Sequence, residues 1–201
     1  MIAGRFVLLC LLVVGSTLSV LAQDAASSWD AVLVRIARAR DYRVRYRTTG
    51  PRGSFRVDYA CVKPDRVRME ILEGSDRNVG TVSVYDPEIS RDRVLLRFSN
   101  SVIARSLTHK DVQGTPMMYR SLFDQIVEKV ADTRPELVRQ EPVGGHKALL
   151  LRFSRGGNKT MLVWINTHGE ILRTQEKEGD SLLEDMEFSG HQWDVQPTIG
   201  F

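Results

Sequence analysis

The chain has 201 residues, of which 42% are hydrophobic and 26% charged, and its formal net charge is +3. That length and hydrophobic content allow one ordinary domain with a substantial core. An excess of three cations over 25 acidic side chains falls short of the dense basic patterning of a nucleic-acid binder, and leaves room only for a weak pull toward anionic surfaces.

The N-terminus reads as a secretory leader. Arg5 supplies a positive start, residues 6–14 are continuously apolar, and Val20-Leu21-Ala22 offers small or apolar residues where a signal peptidase cuts. The predicted cut follows Ala22. A membrane anchor is the competing reading, but the run is short for a span of about 20 residues, and Ser16, Thr17 and Ser19 dilute its end. Removing 1–22 leaves 23–201 as a single domain that is periplasmic or secreted. Of the two cysteines only Cys61 then survives, so no internal disulfide is expected. It shares a strand side with Phe55, Val57 and Tyr59, and is predicted to be buried apolar filler.

Ser27 and Ser28 offer an N-cap, and Trp29, Val32, Leu33 and Ile36 recur at helical spacing toward Arg40. Residues 42–48 alternate strictly, with Tyr42, Val44 and Tyr46 opposite Arg43, Arg45 and Arg47. After the Gly50-Pro51-Arg52-Gly53 turn, residues 54–62 alternate again, completing a hairpin. Strands follow at 66–72, 79–85 and 93–98, while 99–114 shows no assignable pattern. Thr115-Pro116 is a helix-opening pair, and Tyr119, Leu122, Phe123, Ile126, Val127 and Val130 form one apolar stripe after it. Five more strands are predicted at 136–141, 146–155, 160–166, 170–177 and 182–189, separated by glycine-bearing turns. The tail over 190–201 carries no clear pattern. Strands this close in sequence pair as an antiparallel meander.

The order is thus helix, five strands, helix, five strands. Within it, Pro64-Asp65-Arg66-Val67-Arg68-Met69-Glu70 precedes Gly80-Thr81-Val82-Ser83-Val84-Tyr85-Asp86-Pro87, and Met161-Leu162-Val163-Trp164-Ile165 precedes Met186-Glu187-Phe188. This layout resembles the periplasmic outer-membrane lipoprotein-carrier superfamily (LolA/LolB-like), as a divergent member. The resemblance implies an α+β, mainly β fold: a strongly curved antiparallel sheet, or incomplete β-barrel, with helices covering the concave face. It also implies acyl chains of a lipid or lipoprotein as the ligand. Arg68 matches the arginine after the family's strand-three proline, and Tyr85 and Pro87 match its aromatic-x-proline strand end. Ser83 departs from the pattern, since members often carry an aromatic there.

An acyl chain needs apolar surface and little else, at about 0.8 kcal/mol per buried methylene. The inward candidates are Phe55, Val57, Tyr59, Met69, Ile71, Val82, Val84, Trp164, Met186 and Phe188, with Phe123 and Ile126 on the covering helix and Arg68 from the resemblance. An apolar sheet face under an amphipathic helix is equally the way to build a plain core. Two readings therefore stay open. One is a non-enzymatic acyl-chain carrier with a hydrophobic cavity. The other is an envelope sensor or protein-interaction module with the same fold and a filled interior.

Other signals are weaker. Arg43, Arg45, Arg47, Arg52 and Arg56 read as an anion-attracting patch or as a solvated outer face. His109, His146, His168 and His191 are scattered without metal-ligand spacing, so no metal and no cofactor are expected. Asp185 and Glu187 share a strand face without an accompanying catalytic motif. Asn158-Lys159-Thr160 fits the three-residue glycosylation pattern. A monomer with an acyl-chain ligand, an envelope protein as a further partner, and no catalysis or nucleic-acid binding, is the resulting expectation.

Overall fold

A computed structural model describes residues 25–51, 53–75, 78–99, 101–112 and 119–201. The predicted leader and the Thr115-Pro116 helix opening lie outside them. Residues 25–38 form the first helix, α1. Ser27 and Ser28 sit inside it and do not cap it. The predicted stripe is real: Trp29, Val32 and Ile36 are buried and Leu33 packs beside them.

Among the described residues eleven strands form one antiparallel sheet. They are β1 Asp41–Gly50, β2 Gly53–Val62, β3 Arg66–Glu73, β4 Val82–Tyr85, β5 Arg93–Arg97, β6 Arg105–Thr108, β7 Glu136–Val143, β8 His146–Arg155, β9 Lys159–Ile165, β10 Ile171–Glu178 and β11 Ser181–Trp193. A short helix, α2 (His109–Val112), follows β6, and α3 (Leu122–Val130) precedes β7. The spatial order is β6-β5-β4-β3-β2-β1-β11-β10-β9-β8-β7. The two halves of the chain are therefore two meanders, joined where the first strand pairs with the last. The sheet does not close into a barrel.

The predicted first hairpin forms in register, with Tyr46 opposite Val57 and Val44 opposite Tyr59. Two elements differ from the sequence reading. The unassigned stretch contains β6, whose four residues are too few to show a period. β11 runs on to Trp193, into the tail that carried no pattern. A shift of register between Arg43 and Arg45 of β1 accompanies it, next to Gly190 at φ 63°. That glycine supplies the left-handed conformation that an irregularity of this kind uses.

Alternation gives the sheet two apolar faces. The concave one carries Tyr42, Val44, Tyr46, Val57, Tyr59, Cys61, Val67, Met69, Phe153, Met161, Val163, Met186 and Phe188, packed with α1 and α3 in one cluster. The convex one carries a smaller cluster of Val143, Ala148, Leu150, Trp164 and Leu172. Gly169 lets the β9–β10 turn approach α1: at φ 71°, an added Cβ would lie 3.1 Å from the Ala31 carbonyl oxygen. Among the described residues no helix is long and apolar enough to cross a membrane.

Candidate functional site

Helix α3 is held over the sheet by tyrosines rising from it. Ser121 caps the helix, its hydroxyl accepting from Asp124 N–H at 3.4 Å. Tyr59 Oη donates to the Arg120 carbonyl at 2.9 Å and accepts from Leu122 N–H at 3.1 Å. Tyr42 Oη lies 3.1 Å from Ser121 Oγ and accepts from Phe123 N–H at 3.2 Å. The first N–H groups of a helix have no partner within it, so these side chains complete a buried helix start. Lys63 adds a tie on the rim, donating to the Ile36 carbonyl of α1 at 2.6 Å and to Asp124 of α3 at 3.1 Å.

Beneath α3 the space is occupied by aromatic rings. Phe123 lies 4.8 Å from Tyr42, 5.5 Å from Trp193 and 5.6 Å from Phe188, centroid to centroid. Tyr42 also meets Tyr59 at 5.8 Å, and Trp29 of α1 meets Phe153 at 4.8 Å. These are the separations of attractive aromatic pairs, worth about 0.5–1.5 kcal/mol each beyond area burial. Burial shifts the ionisable groups here as expected. It pushes the Tyr42, Tyr46 and Tyr59 hydroxyls well above the usual tyrosine range, and the Cys61 thiol up to about 11.

Nine of the thirteen sequence candidates share this concave side. Phe55, Val57, Tyr59, Met69, Met186, Phe188, Phe123 and Ile126 pack in or against the cluster. Ile71 stands on the same face, opposite Val57. Four stand elsewhere. Ser83, not Val82 or Val84, pairs with Met69, and Tyr85 pairs with Val67. Val82 and Val84 therefore face outward beside Glu70 and Arg68. Both are still buried, at 3% exposure, because the chain's C-terminal segment crosses this outer face. Arg68 Nε donates to the Gly200 carbonyl at 3.0 Å, and Arg97 lies over the Phe201 ring at 4.9 Å. Asp41, 5% exposed, anchors the start of the segment by accepting from Val195 and Gln196 N–H at 2.7 and 2.9 Å. Arg68 is thus a clasp for the tail on the convex side. Trp164 is also outward, in the convex cluster with the Arg173 guanidinium 5.1 Å from its ring. Residues 161–165 are apolar on both faces, so alternation alone could not choose; the pairing of Val163 with Leu151 does.

Two hydroxyls on the concave side of the β4 segment, Thr81 Oγ1 and Ser83 Oγ, are buried without a hydrogen-bond partner among the described residues. On the convex side, a trough of about 530 Å³ crosses the strands. Arg45, Arg47 and Arg56 stand at its β1–β2 end, Glu187 and Ser189 on β11, and Leu172, Val143 and His146 at its far end. Near the trough, Asp185 feels burial that would raise its pKa. Hydrogen bonds from Arg173 and Gln175 outweigh that and hold the carboxyl below the usual range. Glu170 behaves alike, with Asn166 and Trp193 as donors. Among the described residues no group of His, Cys, Asp and Glu side chains is arranged to hold a metal ion.

No family model matches this sequence, and no curated protein matches it either. Solved structures do. The lipoprotein LppX of Mycobacterium tuberculosis aligns at TM-score 0.53 and 11% identity, over 89% of this chain and 99% of that one. An uncharacterised conserved protein from Thermus thermophilus aligns at 0.51 and 12%, over 82% and 86%. MucB aligns at 0.50 and 14%, over 88% of this chain and 61% of MucB. At such identities the likeness is one of fold.

Proposed function

We propose that this chain, a divergent member of the lipoprotein-carrier fold, is an exported, non-enzymatic binding protein of the cell envelope that works through its outer surface with its interior closed. The observation that carries this reading is the filling of the concave side. Tyr42, Tyr59, Phe123, Phe188 and Trp193 stack there in mutual contact, and the tyrosine hydroxyls lock α3 down. An acyl chain entering there would have to displace rings that already bury one another, and well-packed cores yield little space without cost. The leader-like N-terminus and the fold both support an envelope location, and an envelope protein is the expected partner.

A second reading, the acyl-chain carrier, has one specific observation in its favour. Thr81 and Ser83 leave two buried hydroxyls on the concave face unpaired among the described residues, where an ester carbonyl of a lipid would accept from them; buried polar groups ordinarily have partners. An uncharged fluorescent fatty-acid methyl ester separates the readings, because it needs the interior and has no use for surface charge. The closed reading expects no uptake, together with a protein partner recovered by crosslinking in the envelope. Saturable uptake at one probe per chain overturns it in favour of the carrier.

A further inference from the structure

The five-arginine hairpin of the sequence acquires a shape in the structure. Cross-strand pairing places Arg47 directly opposite Arg56, a like-charge pair of the kind that weakens a sheet. Both guanidinium groups reach the same exposed carboxylate, Glu73, at 3.4 and 2.6 Å. Arg45 stands opposite Asp58, but both oxygens of Asp58 are taken by Arg43. Arg45 is left exposed and without a carboxylate partner among the described residues.

These three arginines line one end of the convex trough. Its two lining carboxylates do not neutralise them evenly. Glu170 accepts from Asn166 Nδ2 at 2.8 Å and Trp193 Nε1 at 3.1 Å, at the other end. Glu187 stands opposite Arg47 and flanks Arg173, on the side away from Arg56. Past β11 the lining sets Leu172 and Val143, which belong to the convex cluster, among His146, Asn166 and Glu170. A trough of about 530 Å³ has the size of a small-ligand site. One end presents forked donors suited to phosphate oxygens, and the other presents a small apolar patch, Leu172 and Val143, bordered by polar groups.

We infer that the convex trough binds a phosphate-bearing amphiphile, with its phosphate at Arg45, Arg47 and Arg56 and its apolar part along Leu172 and Val143. The phosphate relieves the Arg47–Arg56 repulsion and gives Arg45 the anion it lacks. Arg45, Arg47, Arg56, Glu187 and Leu172 face away from the concave cluster, so uptake of an uncharged acyl probe and binding of an anion at these arginines are read as independent results.

The test is a nuclear magnetic resonance titration of the ¹⁵N-labelled chain with short-chain phosphatidylglycerol below its micelle concentration, and in parallel with glycerol 3-phosphate. Shifts should concentrate at Arg45, Ser189, Gly190 and Leu172. Arg45→Gln should weaken binding on the order of tenfold, the loss of about one charge-assisted hydrogen bond. Arg139→Gln, an exposed arginine paired with Glu141 outside the trough, should leave it unchanged. Tighter binding of the lipid than of glycerol 3-phosphate supports the amphiphile; equal binding overturns the apolar contact and leaves a site for phosphate esters alone. Absence of shifts with both ligands at millimolar concentration, or equal loss in the two variants, overturns the proposal.

Discussion

Removing one hydroxyl from each of three buried tyrosines should cost very different amounts, because their partners differ. In Tyr59→Phe the Leu122 N–H loses its partner at the buried start of α3, while the Arg120 carbonyl keeps the Gln125 Nε2 donor at 3.2 Å. An unsatisfied buried group costs about 1–3 kcal/mol. With the Arg120 carbonyl still bonded to Gln125, this one orphaned donor sets the expectation at about 1–3 kcal/mol. In Tyr42→Phe only the Phe123 N–H is orphaned, since Ser121 Oγ still accepts from Asp124 N–H; about 1–2 kcal/mol is expected. In Tyr46→Phe the lost partner is Met69 Sδ at 3.5 Å, a weak acceptor, and the cost should stay below about 0.5 kcal/mol. Each ring keeps its packing, so cavity terms do not enter. Urea unfolding followed by near-ultraviolet circular dichroism measures all three. In a domain of this size each kcal/mol moves the Tm by roughly 2–4 °C, which gives an independent check. A Tyr46→Phe loss equal to that of Tyr59→Phe would show that burial of the rings, and not the anchoring of α3, sets the order.

Other consequences can be measured on the same protein. Cys61 is buried with a thiol pKa near 11; at pH 8 a thiol reagent should label it only as fast as the chain unfolds, and prompt labelling read by peptide mass spectrometry would contradict its burial. Above neutral pH, stability should be level to about pH 9 and then fall. Cys61 and the three tyrosines have raised pKa values in the folded state, so the unfolded chain releases its protons first as pH rises. Each such group contributes a slope of about 1.4 kcal/mol per pH unit between its unfolded and folded values. Chemical unfolding between pH 8 and 11 tests the sign, and rising stability there would refute it. Asp41→Ala should free the segment that begins at Val195. Faster hydrogen exchange over 195–201 is expected, with a stability loss of about 1–3 kcal/mol, and unchanged exchange would show that the contacts at Arg68 and Arg97 hold the tail without Asp41.

Much of the architecture was legible from periodicity. Strict alternation in 42–48 and 54–62 forces one side of each strand to be apolar, and the hairpin formed in that register. The helical stripe from Leu122 to Val130 could only be satisfied by a helix against a hydrophobic surface. The order of elements and the strand-three and strand-four motifs were sufficient to anticipate an open, helix-covered antiparallel sheet. Such patterns are local, and local sequence carries them whole.

What periodicity could not supply was decided by contacts distant in sequence. Val82 and Val84 are as apolar as any core residue, and only their pairing with Glu70 and Arg68, under a tail more than a hundred residues later, turned them outward. Trp164 sits in a run apolar on both faces, where alternation carries no information. The packing beneath α3 also depended on tertiary structure, because Phe123, Tyr42 and the pair Phe188 and Trp193 come from three separate segments, α3, β1 and β11, and only the fold stacks them. The same holds for the arginines: the alternation of one hairpin placed them on one face, but the turn between β7 and β8 and the start of β10 were needed to make that face a trough.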